Sequence, residues 1–121
     1  MHAFDILGDP VRRRILQLLA ESAQPSGAIV EVVFEEFGIS QPAVSQHLRV
    51  LRENGFATVK AQAQRRIYSI ETAPLIEVDE WLAPFRHFWN HKMDALATEV
   101  ARGKKKNNSA TGLQERSNKE T

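Results

Sequence analysis

Six short polar or cationic side chains are best placed to do chemistry: Ser40, Gln41, Ser45, Gln46, Arg49 and Arg52, set around Val44, Leu48 and Leu51. The three apolar residues recur at i, i+4 and i+7, so they form one face of a helix and the polar residues occupy the other. Amides and guanidinium groups pair with adenine and guanine edges, and hydroxyls reach base or phosphate. Such a face suits a DNA major groove. Ser40 is a good N-cap, Pro42 sits in the first turn where its missing N–H costs little, and Gly55 closes the helix. A solvated amphipathic helix without a ligand has the same composition, and both readings stand at this point.

A second candidate pair is His87 and His91, at i, i+4 with Asp94 one turn on. This spacing can chelate a transition metal. The pair adjoins an aromatic stripe, where histidines also hydrogen-bond across interfaces or sense pH. The 121 residues contain no Cys, which removes disulfides, thiolate zinc sites and cysteine nucleophiles together. No nucleophile elbow, phosphate loop or pocketed carboxylate pair is present, so no enzymatic activity is expected.

The elements that must position these residues follow from local signals. Asp9-Pro10 starts a helix to Glu21, with Val11, Ile15, Leu18 and Leu19 on its apolar stripe and Arg12, Arg13 and Arg14 around it. Phe4, Ile6 and Leu7 predict a short leading helix ended by Gly8. Ser22–Ser26 reads as a loop. A helix from about Gly27 to Phe37 follows, with Val30, Val33, Phe34 and Phe37 at helical spacing and Gly38 as its stop. A helix, a tight turn and the Gln41–Arg52 helix make a helix-turn-helix pattern. Ala57–Lys60 and Arg65–Ile70 predict two short strands, joined by Ala61–Gln64 with weak turn chemistry. This hairpin would form a wing carrying Arg65 and Arg66 toward phosphate or a minor groove.

Residues 74–102 form the last element. Val78, Leu82, Phe85, Trp89, Leu96 and Val100 lie near one stripe, and four of the nine aromatics fall between Trp81 and Trp89. Each aromatic can bury about 150–250 Å², more in sum than a small monomer usually exposes, so a second copy is expected to cover part of it. Pro84 should kink or divide this helix near Leu82–Ala83. From Gly103 onward the chain lacks apolar periodicity and reads as a flexible basic tail. The net charge is only +1, yet residues 40–70 carry five bases against one acid, which localises an anionic partner.

These segments resemble the ArsR (SmtB) winged helix-turn-helix repressors. The likeness rests on Asp9-Pro10 with Arg12-Arg13-Arg14-Ile15-Leu16, on Ile39 through Leu48, and on Leu51, Gly55 and Tyr68. It spans about residues 3–102. The resemblance implies a mostly α fold with a small β-hairpin wing, dimerised through the first and last helices. It places Phe4, Leu7, Trp81, Phe85, Phe88, Trp89 and Leu96 at the dimer interface. It places Ser40, Gln41, Ala43, Ser45, Gln46, His47, Arg49, Arg52, Arg65 and Arg66 at the DNA, with His47 expected to act by positioning its helix. It also implies an inverted-repeat operator in double-stranded DNA, released when an effector binds or a modification occurs.

The metal-sensing members of that family place Cys pairs in the helix before the turn, or Asp and His two residues apart on the last helix. Here the first region has no Cys, and Asp79 is followed by Trp81 at that spacing. No metal or other cofactor is therefore expected. The domain reading is residues 1–102 as the DNA-binding and dimerisation domain and 103–121 as the tail. No secretory leader or membrane span is expected, which gives a cytoplasmic protein, nucleoid-associated when DNA-bound. The alternative is a winged helix that binds protein and not DNA.

Overall fold

The computed structural model describes residues 2–106, with side chains to Val100. The elements run α1 (Ala3–Leu7), α2 (Pro10–Glu21), β1 (Gln24–Pro25), α3 (Ser26–Phe37), α4 (Gln41–Glu53), β2 (Ala57–Gln62), β3 (Arg65–Ile70) and α5 (Ala73–Lys106). Local chemistry sets most boundaries. The Asp9 carboxylate accepts from the amides of Val11 (2.8 Å) and Arg12 (3.1 Å), and Pro10 opens α2. Ser40 Oγ accepts from the Ala43 amide at 3.3 Å and caps α4. Gly38, at φ 68°, ends α3 with its N–H on the Phe34 carbonyl at 2.9 Å. A left-handed residue there lets the chain reverse within three residues, at low cost only for glycine.

The core lies where α2, α3 and α4 meet the sheet. Ile15 and Leu19 of α2, Ile29 and Val33 of α3, and Val44, Leu48 and Leu51 of α4 are buried together with Ile6 of α1. Phe56, just after Gly55, fills the space between α4 and the sheet. Its amide bonds the Leu51 carbonyl at 2.8 Å and its carbonyl takes the Glu71 amide at 2.8 Å, so one residue links the end of α4 to the end of β3. An exposed bidentate pair, Arg14 with Glu36 at 2.8 and 3.0 Å, joins α2 to α3. Hydrogen bonding within the pair holds the Glu36 carboxyl below its ordinary range and the Arg14 guanidinium above its own.

The structure revises several local expectations. Ser22–Ser26 is not wholly a loop: Gln24 and Pro25 add a third strand, giving an antiparallel sheet in the order β1-β3-β2. Gln24 pairs with Tyr68 and Pro25 with Ile67, and Gln24 Nε2 donates to the Leu18 carbonyl at 2.9 Å. Two residues are too few for periodicity to reveal, and proline is acceptable in this edge strand. The first hairpin strand is also longer than expected, with β2 reaching Gln62 and leaving only Ala63-Gln64 as the loop, while β3 has the expected bounds. In α3 the buried pair is Ile29 and Val33, whereas Phe34 turns outward and is 58% exposed.

The chain divides into two compact units after Trp81. α5 is not divided at Pro84; the ring removes one backbone donor, normally aimed at the carbonyl four residues back. The helix takes in Gly103–Lys106, and residues 107–121 of the expected tail lie outside the described residues. Within the second unit Phe85, Phe88, Trp89, Met93, Leu96 and Val100 are all exposed. Among the described residues no helix is long and apolar enough to cross a membrane.

The Asp9 cap yields a stability prediction. Burial alone would raise its carboxyl, but the amides of Arg12 and Val11, with the Arg12 charge, outweigh burial and hold it below the ordinary range. A depressed native value means its contribution is complete above the usual aspartate range and is lost as pH falls through the native value. Asp9→Ala should cost about 1 kcal/mol at neutral pH, read from urea midpoints at constant slope. Asp9→Asn, which keeps a cap acceptor, should cost less and should flatten the decline in stability below about pH 4.

Candidate nucleic-acid interface

α4 is held by its apolar row. Val44, Leu48 and Leu51 are each 2% exposed or less, locked between α2, α3 and β2. A helix pinned along one row has a fixed rotation, so the opposite row is fixed as well. Gln41, Ser45, Gln46, Arg49 and Arg52 are all exposed there, and Ala43 and His47 are half-buried at the seam. The structure thus brings the sequence-predicted residues of this helix onto one surface. Ser40 differs in role, because its hydroxyl already caps the helix.

Arg49 is not bare. Its Nε donates to Glu53 at 3.0 Å, one helical turn on, with both side chains more than half exposed. Exposed pairs of this kind contribute at most about 1 kcal/mol, little enough for a phosphate or guanine edge to displace the carboxylate.

The wing places its cations by strand alternation. β2 and β3 pair Gln62 with Arg65, Ala61 with Arg66 and Lys60 with Ile67. Side chains alternate faces along a strand, so Arg65 and Arg66 point to opposite faces. Lys60 shares the face of Arg65, where Lys60, Gln62, Ile67 and Ser69 line one hollow. Sequence reasoning overlooked Lys60 as a partner of Arg65. The register of the hairpin reveals it, and composition does not.

Behind α4, His47 Nδ1 lies 3.5 Å from Arg12, whose Nε and second terminal nitrogen donate to the Ile6 and Asp5 carbonyls at 3.0 Å each. Arg13 donates to the Leu7 carbonyl at 2.7 Å. Of the three arginines expected merely to surround the α2 stripe, Arg12 and Arg13 in fact fasten α1. Of the residues assigned to a dimer interface, Phe4 meets Trp81 edge-to-face at 5.1 Å between ring centres, and Leu7 packs against the core from α1. In the second unit the His87 ring lies 4.0 Å from that of Phe88. Among the described residues no three His, Asp or Glu side chains gather in a way that could hold a metal ion.

A helix-turn-helix domain family matches residues 7–60, which takes in α2, α3, α4 and the start of the first wing strand. The transcriptional repressor SdpR of Bacillus subtilis is 32% identical over 84 residues, 69% of this chain and 89% of that protein. The chain belongs to the ArsR family of winged helix-turn-helix transcriptional regulators. Solved structures agree. The crystal structure of an ArsR family transcriptional regulator aligns with a TM-score of 0.59 at 26% identity, over 73% of this chain and 87% of that one. The crystal structure of a "possible transcriptional regulator for arsenical resistance" aligns at 0.58 and 30% identity, over 82% and 96%. As a member of this family the protein is a DNA-binding regulator of transcription, and its fold is the winged helix that the sequence pattern predicts.

The wing departs from the usual turn chemistry. Ala63 opens its two-residue loop at φ 58°, a positive φ that two-residue hairpin loops normally give to glycine, asparagine or aspartate. A β-carbon there costs about 1–2 kcal/mol. Ala63→Gly should therefore raise stability by up to about 1 kcal/mol after the entropy cost of glycine, measured by urea unfolding. A fall in stability would contradict the turn geometry.

Proposed function

We propose that this regulator is a homodimeric repressor that reads an inverted-repeat operator with α4, and that it works in the cytoplasm. The observation that carries the reading is the row Gln41, Ser45, Gln46, Arg49 and Arg52, exposed opposite a fully buried row on the same helix. These residues, with Ser40 and Ala43 at the start of the helix, approach base edges and flanking phosphates in the major groove. Arg65 and Arg66 on the wing meet phosphate, joined by Lys60 on the face of Arg65. Two protomers related by a two-fold axis would enter successive major grooves about 34 Å apart. The repressor SdpR supports the sign of regulation.

The proposed dimer uses α1 and α5 through Phe4, Leu7, Trp81, Phe85, Phe88, Trp89 and Leu96. Its support is apolar exposure: Trp81 is 55% and Phe88 62% exposed in one chain, unusual for side chains of this size. Trp81→Ala with Trp89→Ala should lower self-association and weaken operator binding. Sedimentation velocity reads the first; wild-type protein that stays monomeric at tens of micromolar, about where ordinary dimers are fully formed, would rule the dimer out.

DNA contacts divide into those that discriminate and those that only attract. Losing a bidentate base contact costs about 1–3 kcal/mol and relaxes the choice at one base pair. Losing a phosphate contact weakens all sequences and lowers the salt slope by about one. Gln46→Ala and Arg49→Ala should narrow the gap between operator and scrambled duplex, and Arg65→Ala should lower both curves together. Binding to both duplexes across a salt series measures this, and the reverse pattern would exchange the roles of helix and wing.

A further inference from the structure

Arg12 occupies a junction of three elements. It stands on α2, half-buried, and all three guanidinium nitrogens are engaged. Two bond the Asp5 and Ile6 carbonyls at the C-terminal end of α1, which otherwise receive only the long bonds from the Gly8 and Asp9 amides at 3.3 and 3.5 Å. α1 has only five residues and cannot stand without such tertiary support. The third nitrogen reaches His47 Nδ1 on α4 at 3.5 Å, a long contact. An arginine donates and never accepts, so a hydrogen bond here needs Nδ1 as the acceptor and the ring in its Nε2–H tautomer. The Asp9 carboxylate anchors the Arg12 amide at 3.1 Å.

We infer that Arg12 is a positioning residue that sets the pose of α4 on DNA by holding His47 Nδ1 with one end and α1 with the other. The inference rests on the reading of α4 as the DNA-reading helix. His47 lies between exposed Gln46 and buried Leu48, so a shift of its ring turns the neighbouring polar row. α1 carries Phe4 and Leu7, so Arg12 ties whatever docks on α1 to α4, beside the packing of Ile6 in the shared core. His47 in this role contributes through the nitrogen that faces Arg12, without touching a base.

The two isosteric amides separate the alternatives. Asn places an acceptor near the position of Nδ1, whereas Gln places its polar end near Nε2. Binding is measured on a duplex selected by the wild-type protein from a random pool, and on scrambled duplex, across a salt series. Variants are compared at a temperature where melting shows each one folded. His47→Asn should keep operator affinity within about threefold of wild type. His47→Gln and Arg12→Lys should each lose about tenfold, the usual scale of a charged hydrogen bond, with the salt slope unchanged because no phosphate contact is lost. The double variant should be no weaker than either single one, since both cut the same link.

Retention by His47→Gln with loss by His47→Asn would assign His47 a DNA contact through Nε2 and overturn the inference. So would retention by both, or additive losses in the double variant. Gln46→Ala and Arg49→Ala run on the same duplexes judge the underlying reading separately. If they leave discrimination intact, α4 is not the reading helix and both conclusions fall; if they relax it, the His47 pair decides the inference alone.

Discussion

The burial of Val44, Leu48 and Leu51 is the constraint on which the interface depends. A helix in a groove reads DNA only if its rotation about its own axis is fixed, because a turn of one residue moves each amide about 100° around the axis. Close packing supplies that fix. Side chains that interdigitate at crystal-like density leave one rotation that fills the space without voids. α2 and α3 form the socket, and Phe56 fastens its lower end by joining the close of α4 to the close of β3. The polar row needs no scaffold of its own; it is the reverse side of the core.

The same logic explains how much was legible in the sequence. α4 was readable end to end because its signals agree: a serine cap, a proline in the first turn, a 3.6-residue apolar period and a closing glycine all mark one helix. The leading helix and the αL stop at Gly38 were readable for similar reasons. β1 was not, because its existence depends on β3 lying beside it and on Gln24 reaching the Leu18 carbonyl. Phe34 misled through its size: a large apolar residue at core spacing suggests burial, yet α3 buries a narrower stripe through Ile29 and Val33.

At the site, residue types were visible and pairings were not. The cations of the wing were evident from composition, but their division between two faces comes only from register. Arg12 and Arg13 read as solvated positive charge around a helix stripe. Their carbonyl partners six or seven residues upstream belong to no sequence period, since they arise from the angle at which α1 meets α2. Long side chains with many donors are the hardest to assign from sequence, because reach rather than spacing selects their partners.

The Arg49–Glu53 pair bears on how binding responds to ionic strength. Salt sensitivity counts the small ions set free when cationic side chains replace the counterions condensed on DNA. A free arginine that meets a phosphate adds nearly one to that count. Arg49 instead comes with a carboxylate 3.0 Å away, so contact with the backbone is an exchange of anions, and Glu53 must take up a cation of its own once it is released. The helix can thus present a guanidinium to DNA while contributing less than a full charge to long-range attraction.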